Sequence, residues 1–156
     1  MEHPEFRIPK ISVPIVCHTI QEEEVRGDIF LDMILTEGYS VQQIIDYFNA
    51  TAPFFPIRTS GRQPVLISKA SVVLVDVPQL TDQYREDTSS FSVRTEAVVH
   101  VHSLGPLRLT IIVDLPEEHS RLLDLVNVAR KAFFPAMLNN SLSLVSLHHI
   151  YKIEEA

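Results

Sequence analysis

The two halves of this sequence resemble each other, and this similarity constrains the fold more than any other feature of the chain. The tripeptide Phe-Phe-Pro occurs at residues 54–56 and again at 133–135. Upstream of each copy lies a hexapeptide of the pattern apolar-apolar-Asp-apolar-apolar-Asn, at residues 44–49 and 122–127. Internal similarity at a fixed order indicates repeated structural units. We therefore expect an internal duplication.

The spacing of apolar residues predicts two related sets of strands. Apolar and polar residues alternate over residues 25–35 and again over 107–115, and a period of two is typical of a half-buried strand. Shorter alternating segments precede them at residues 11–17 and 97–101. Each half of the chain is therefore expected to begin with two neighbouring strands.

Each half then contains one predicted helix. Ser40 followed by Gln43 has the spacing of a capping box, which satisfies orphan N–H groups of a first helical turn. The apolar residues that follow have the i, i+3, i+4, i+7 spacing of a helix packed on a core. They are Val41, Ile44, Ile45 and Phe48. The second helix is predicted to begin near Pro116, because a proline and two glutamates suit a first turn.

These patterns together predict an α+β fold made of two tandem related β-rich units with one helix each. The first unit spans residues 11–78, a polar linker covers 79–92, and the second unit spans 93–154. Each unit has the order strand, strand, helix, short aromatic-proline segment and strand pair. A unit of about 70 residues has only a marginal core. We therefore expect the two units to pack face to face as a pseudo-dimer.

The strand order, with a tightly turned final strand pair, is similar to that of SH3-like and Sm-like small barrels. Residues 11–77 also resemble a family of short uncharacterised bacterial proteins of unknown function. The residues that carry this resemblance are Gly27, Ile45, Asp46, Asn49, Phe55, Pro56, Ile57, the run 65–69 and Val72. The resemblance implies a small β-rich fold and no particular activity. The second unit departs from it, with Leu109 at the position of Gly27 and Leu147 at that of Lys69.

Composition and charge exclude several classes of protein. Hydrophobic residues make up 46% of the 156 residues and charged residues 21%, which is typical of a globular domain rather than a disordered chain. Thirteen basic and twenty acidic side chains leave a net charge of −7. A surface of this sign repels phosphate backbones and anionic lipids, so we expect neither nucleic-acid nor membrane binding.

The cysteine content and the first residues predict a cytoplasmic protein. Cys17 is the one cysteine of the sequence, which excludes an internal disulfide and fits a reducing compartment. Residues 1–10 lack the apolar segment of a signal peptide, and no apolar run approaches the ~18 residues of a membrane helix. Cys17 shares its strand face with Val13 and Ile15, so we expect a buried and unreactive thiol.

Histidines are the strongest candidates for chemistry. His100 and His102 lie two residues apart on a predicted strand and project from one face, and His18 is matched with His102 in the alignment of the two halves. If the units bring these side chains together, three imidazoles form a donor set for Zn²⁺ or another divalent metal. The alternative is a solvated or inter-unit face. No cofactor is predicted, because the sequence lacks glycine-rich phosphate-binding loops.

The paired aromatic-proline segments are the candidates for partner binding. Adjacent side chains of an extended segment point to opposite faces, so both phenylalanines of a pair cannot enter one core. We take Phe55 and Phe134 as partner contacts, since an exposed aromatic beside proline is a typical anchor. The alternative is that helix and strands cover both rings of each pair. Pro14 further predicts an edge position in the first strand, through which the chain can self-associate.

No catalytic constellation is visible in the sequence. This favours a non-enzymatic cytoplasmic protein-interaction or regulatory module, whose partner is another protein or a second copy of the chain. The alternative is a metal or small-ligand binding protein that uses His18, His100 and His102. A third hypothesis is an enzyme whose residues are assembled across the two units.

Overall fold

The structure is a computed structural model that describes residues 9–33, 38–61, 63–80, 93–113 and 132–155. The first half holds β1 (Lys10–Thr19), β2 (Glu24–Asp32), α1 (Val41–Asn49), β3 (Phe54–Ile57), β4 (Val65–Ser68) and β5 (Val72–Val77). The second half holds β6 (Val93–Val101), β7 (Gly105–Val113), β8 (Phe133–Leu138), β9 (Ser141–Ser146) and β10 (Ile150–Glu155). Short 3₁₀ helices, Lys69–Ser71 and Leu147–His149, lead into β5 and β10. The fold is thus mostly β, and in these segments no helix is long and apolar enough to cross a membrane.

Helix α1 forms as the sequence predicts. The backbone N–H of Gln43 donates to Ser40 Oγ, and the backbone N–H of Ser40 donates to Gln43 Oε1, which completes the capping box. The apolar stripe is buried and consists of Val41, Ile44, Ile45 and Phe48. Gln43 Nε2 also donates to the carbonyl of Asp32 at 2.8 Å, which ties the start of the helix to the end of β2. The predicted helix near Pro116 and residues 81–92 of the predicted linker lie outside the described residues.

The described strands form two antiparallel sheets. The larger has eight strands in the order β10-β6-β7-β8-β9-β5-β1-β2, and the smaller is the pair β3-β4. An antiparallel bridge between Asp28 and Arg58 connects β2 to the residue that follows β3. Here the carbonyl of Arg58 lies so close to the α-carbon of Gly27 that any side chain would collide with it, so β2 requires a glycine. Over the described strands the order has open ends, and no barrel closes.

The two halves of the chain pair their strands in the same pattern. In the first half β1 pairs with β2 and β5, and β3 pairs with β4. In the second half β6 pairs with β7 and β10, and β8 pairs with β9. The bridge from β2 to Arg58 has its counterpart in the pairing of Thr110 in β7 with Met137 in β8. Each half therefore has the same internal order, β5-β1-β2-β3-β4 and β10-β6-β7-β8-β9.

The register shifts of the two halves can also be compared residue by residue. The β1–β5 pairing shifts register directly after His18. The β6–β10 pairing shifts register directly after His100, whose strand continues with Val101. His18 therefore corresponds to His100 and not to His102. The strand register, and not the shared residue type, decides this match.

Among the described strands one pairing joins the two halves, and we call it the β5–β9 joint. It places Leu74 opposite Val145 and Val77 opposite Leu142 in an antiparallel register. The two strands of the joint are not equivalent, because the counterpart of β9 in the first half is β4. The first half thus enters the joint with its fifth strand and the second half with its fourth.

Each half contributes side chains to the core of the other. One cluster of buried side chains is built on α1, β1 and β2, and its members from the second half are Phe133, Met137, Leu142 and Leu144. The other cluster is built on β6 and β7, and it includes Val73 and Leu74 from the first half. Leu80, which the sequence placed in the polar linker, is buried in the first cluster. The joint is therefore part of both cores.

The edge position predicted from Pro14 holds for only part of β1. β2 pairs with β1 from Lys10 to His18, and β5 pairs with it from Val16 to Thr19. Pro14 lies two residues before the β5 pairing begins, where β2 is the only described strand that pairs with β1. Proline is tolerated there because no hydrogen bond toward β5 is required. β1 as a whole is an inner strand of the sheet.

Candidate functional site

The β3–β4 hairpin presents an apolar surface to solvent. Six large hydrophobic side chains are exposed among the described residues, and three of them lie on this hairpin: Phe54 (54%), Val65 (43%) and Leu66 (66%). Leu66 lies opposite Pro56, so its side chain shares a face with that of Phe54. Strand β4 pairs with β3 on one side, and no other described strand pairs with its second side. We call the exposed part of this hairpin, with Phe54 and Leu66 on one face and Val65 on the other, the β4 edge.

The two phenylalanines of the first pair point to opposite faces, as predicted. Phe55 is buried, and its ring meets that of Phe48 edge to face at 5.2 Å between centroids, whereas Phe54 lies outside the core. In the second half Phe133 and Phe134 are both buried, in different core clusters. The choice of Phe55 and Phe134 as partner contacts stays a prediction. The rings of both are enclosed, so in this pair of segments the ring that a partner can reach is Phe54.

Strand β9 of the second half is the counterpart of β4, and its surroundings differ from those of β4. Leu144 lies opposite a proline of β8 as Leu66 lies opposite a proline of β3, so β9 corresponds to β4. Strand β5 covers β9, and Leu144 is fully buried. Phe133, the counterpart of Phe54, is likewise buried and lies 5.9 Å from an aromatic ring of α1. Among the described strands, β4 has no partner on its second side, whereas β9 pairs with β5, and the apolar residues Phe54 and Leu66 of the hairpin are exposed.

Asn49 holds β8 of the second half against α1 of the first. Its Oδ1 accepts a hydrogen bond from the backbone N–H of Phe133 at 2.9 Å, and its Nδ2 donates to the carbonyl of Phe133 at 2.9 Å. Nδ2 also donates to the carbonyl of Ile45 at 3.0 Å, which fixes the side chain on the last turn of the helix. The asparagine that ends the hexapeptide 44–49 thus satisfies both backbone polar groups of one residue beside the β5–β9 joint.

A polar cleft of about 320 Å³ opens beside the same joint, and its charged lining residues are His18, Glu24, Arg26 and Asp76. His18 Nε2 lies 3.0 Å from Asp76 Oδ2. Ser143 of β9 donates from Oγ to Asp76 Oδ1 at 2.6 Å. One carboxylate thus binds an imidazole of its own half and a hydroxyl of the other half.

The order of the groups around the cleft differs from that of a catalytic triad. In a catalytic triad the imidazole stands between the hydroxyl and the carboxylate, whereas here Asp76 stands between Ser143 and His18. The hydrogen bond to Asp76 raises the pKa of His18, although burial acts in the opposite direction. Burial, together with the charge of Asp76, raises the pKa of the Cys17 thiol to about 12. The thiol is buried, as predicted, and stays protonated at neutral pH.

A second histidine–carboxylate pair lies in the second half. His100 Nε2 lies 2.8 Å from Glu154 Oε1. His100 lies on β6 and Glu154 on β10, as His18 lies on β1 and Asp76 on β5, so the two pairs occupy corresponding positions. Hydrogen bonds from Lys152 and from His100 lower the pKa of the exposed Glu154 carboxyl. No short motif predicts these pairs, because the two members of each pair are 58 and 54 residues apart in the sequence.

The three histidines proposed as metal ligands have different neighbours. His100 and His102 both contact the ring of Tyr151, at centroid distances of 5.9 and 5.2 Å, whereas His18 pairs with Asp76. Within the part of the chain that the structure describes, no group of three or more His, Cys, Asp or Glu side chains is placed to hold a metal ion. The metal site at these histidines stays a prediction, and it requires the side chains to move together.

Comparisons with protein-family models, with curated proteins and with solved structures found no match to this chain. What the chain does must therefore follow from its own geometry. The β4 edge offers apolar side chains on a strand whose second side pairs with no other described strand. The cleft offers a histidine–carboxylate pair beside Glu24 and Arg26.

Proposed function

We propose that this chain is a non-enzymatic cytoplasmic protein-interaction or regulatory module that binds its partner through the β4 edge. The observation that carries the proposal is the exposure of the β4 edge in a chain whose corresponding strand, β9, is fully covered. An unpaired strand is a template for pairing with a strand of another molecule. Its backbone groups supply hydrogen bonds, and Phe54 and Leu66 supply apolar contact area.

The chemistry of the candidate nucleophiles supports a binding role. Cys17 is buried and its raised pKa keeps it protonated, and the hydroxyl of Ser143 donates to Asp76 rather than to an imidazole. A single buried thiol also suits a reducing compartment. The net charge of −7 favours a protein partner over nucleic acid or an anionic membrane.

The proposal includes a finer description of the fold. The halves, residues 11–78 and 93–154, are two copies of one unit linked by 79–92, and they form a tandem pseudo-dimer joined edge to edge. The shared strand order and the corresponding register shifts support this duplication. The order β5-β1-β2-β3-β4 also supports the resemblance to SH3-like and Sm-like small barrels. The likeness of residues 11–77 to short bacterial proteins belongs to the same proposal.

The substitution Leu66→Lys is expected to abolish partner capture without unfolding the chain. A lysine here costs little in the free chain, because the side chain is largely exposed. Covering it with an apolar partner strand requires burial of an unpaired charge, which is strongly unfavourable. The measurement is quantitative affinity purification of the tagged chain from the cells that produce it. At least one protein is expected to be recovered at about tenfold lower yield with the variant.

The matched control is Met33→Lys, which places the same charge at an exposed apolar residue outside the β4 edge. It is expected to recover the same proteins as the wild-type chain. Each recovered protein is then purified and tested for direct binding to the three chains. Equal recovery and equal direct binding by all three chains would contradict the proposal.

A second candidate function is the binding of a metal ion or another small ligand with His18, His100 and His102, of which His18 lines the cleft beside Asp76. The test is titration of the full chain with Zn²⁺, followed by NMR of the imidazole signals. The hypothesis expects all three signals to shift together. Binding should weaken as the pH falls through the raised pKa of His18, since a protonated imidazole cannot ligate a metal. An unaffected His18 signal at saturating Zn²⁺ would exclude this site.

A further inference from the structure

We infer that a second copy of this chain binds at the β4 edge through its strand β10, so that chains assemble head to tail. This inference rests on the proposed function, because it names the partner of the β4 edge. The β5–β9 joint provides the pattern, in which the last strand of one half pairs with the fourth strand of the other. β4 and β10 are the counterparts of β9 and β5. Neither has a strand on its second side in the described chain.

The correspondence fixes the register of the contact between chains. In the β5–β9 joint, Val75 lies opposite Leu144. In each half a 3₁₀ helix separates the fourth strand from the fifth, and residues are matched by their distance from that helix. By this count Ile153 is the counterpart of Val75, and Leu66 is the counterpart of Leu144. The inferred contact therefore places Ile153 of one chain opposite Leu66 of the next in an antiparallel pairing.

Corresponding residues are buried in β5 and β9, which pair with each other, and exposed in β10 and β4, which do not pair with each other within the described chain. Leu144 is fully buried, whereas Leu66 is exposed. On the other strand, Val73 is fully buried, whereas its counterpart Tyr151 is 61% exposed. The two open surfaces therefore both carry large apolar side chains. Pairing β4 of one chain with β10 of the next therefore covers the residues whose counterparts the β5–β9 joint covers within a chain.

Strand β10 differs from β5 in its charges. Lys152 stands at the position of Leu74, and Glu155 at the position of Val77. Charged side chains on an edge strand weaken its pairing with other strands. The alkyl part of Lys152 can still cover apolar surface while its ammonium group stays in water. The contact between chains is therefore weaker than the joint within a chain, and assembly is reversible.

A heterologous contact of this kind does not stop at two chains. A chain that binds through its β10 still has a free β4, and a chain that binds through its β4 still has a free β10. Such contacts give a closed ring where the rotation between chains closes, and a filament where it does not. Both forms have masses that are multiples of the 17.7 kDa chain.

The test uses the purified full chain and two variants that each block one surface. Leu66→Lys blocks β4, and Tyr151→Asp blocks β10 at an exposed side chain whose counterpart, Val73, is buried directly before the paired residues of the joint. Sedimentation equilibrium is measured over a range of concentrations, and circular dichroism verifies that each variant is folded. The wild-type chain is expected to form species larger than a dimer as the concentration rises, and each variant alone is expected to stay monomeric.

An equimolar mixture of the two variants is the decisive sample. The Leu66→Lys chain retains a working β10, and the Tyr151→Asp chain retains a working β4. One contact can therefore form, and the mixture is expected to give a heterodimer and nothing larger. Lys152→Leu restores the residue type found in β5, and is expected to move wild-type assembly to about tenfold lower concentration.

Several results would overturn the inference. A Tyr151→Asp chain that still dimerises means that two β4 edges pair with each other. A Leu66→Lys chain that still dimerises means that the contact does not use β4. A wild-type chain and a Lys152→Leu chain that both stay monomeric exclude self-assembly. If Leu66 is nevertheless required for capture of another protein, the proposed function stands and only its partner has to be changed.

Discussion

The variant Phe48→Ala is expected to have a free energy of unfolding about 3–5 kcal/mol lower than that of the wild-type chain. Phe48 is buried on α1, and its ring meets those of Phe55 and Phe133 at centroid distances of 5.2 and 5.9 Å. Phe133 comes from the second half of the chain, so truncation opens a cavity where the two halves meet. Each lost aromatic contact adds about 0.5–1.5 kcal/mol beyond the loss of buried area, which places the expected cost toward the upper part of that range.

The measurement is urea unfolding followed by circular dichroism, with the slope against urea compared between variants. Phe54→Ala is the matched control, because it removes the same side chain from an exposed position of the next strand. Exposed substitutions usually change stability by no more than about 0.5 kcal/mol. Equal costs at Phe48 and Phe54 would mean that the ring of Phe48 does not fill the core between the halves.

Local features of the fold could be read from the sequence. The capping box at Ser40 and the apolar stripe of α1 involve residues within two turns of each other, so their spacing carries the structural information. The alternation in β1 predicted that Cys17 is buried with Val13 and Ile15. In each case the physical cause, a helical or strand period, lies within a few residues.

Features that depend on strand pairing could not be read in this way. The sequence predicted only a short aromatic-proline segment between the helix and the final strand pair of each half, and these segments form the strands β3 and β8. Asp76 and Ser143 become neighbours only when β5 pairs with β9. His18 was matched with His102 by residue type, whereas the strand register matches it with His100. Long-range register is set by the whole sheet, and a single sequence does not encode it in a short motif.

The same tripeptide therefore has two different environments. Phe133 is covered by α1 of the other half, and Phe54 is open to solvent. Sequence pattern alone gives both segments the same expectation, since the pattern is the same. The difference arises from what lies next to each hairpin, which is why the β4 edge became visible only in the structure.

The variant Asn49→Leu is expected to lose about 2–6 kcal/mol of stability, because it leaves two backbone groups of the buried residue Phe133 without partners at about 1–3 kcal/mol each. The N–H and the carbonyl of Phe133 both bond to the Asn49 side chain at 2.9 Å. Leucine has a similar size and cannot replace either bond. Hydrogen exchange adds a local measurement, since the Phe133 amide is expected to lose protection before the amides of β6 and β7.

Gln42→Leu is the control for Asn49→Leu, because it also removes a carboxamide from α1. The Gln42 side chain bonds at 2.8 Å to Asp46 on the exposed face of the helix, where water can replace the lost bond. Its cost is therefore expected to stay within about 0.5 kcal/mol. If both variants have similar stability, or if the Phe133 amide remains protected in Asn49→Leu, the asparagine does not hold the halves together. If only Asn49→Leu loses stability and Phe133 protection, the last residue of the repeated hexapeptide acts between units. Such a contact forms only where a second unit lies beside the first. Within one chain the other half is that unit, and the inferred head-to-tail pairing places a further unit beside it in the next chain.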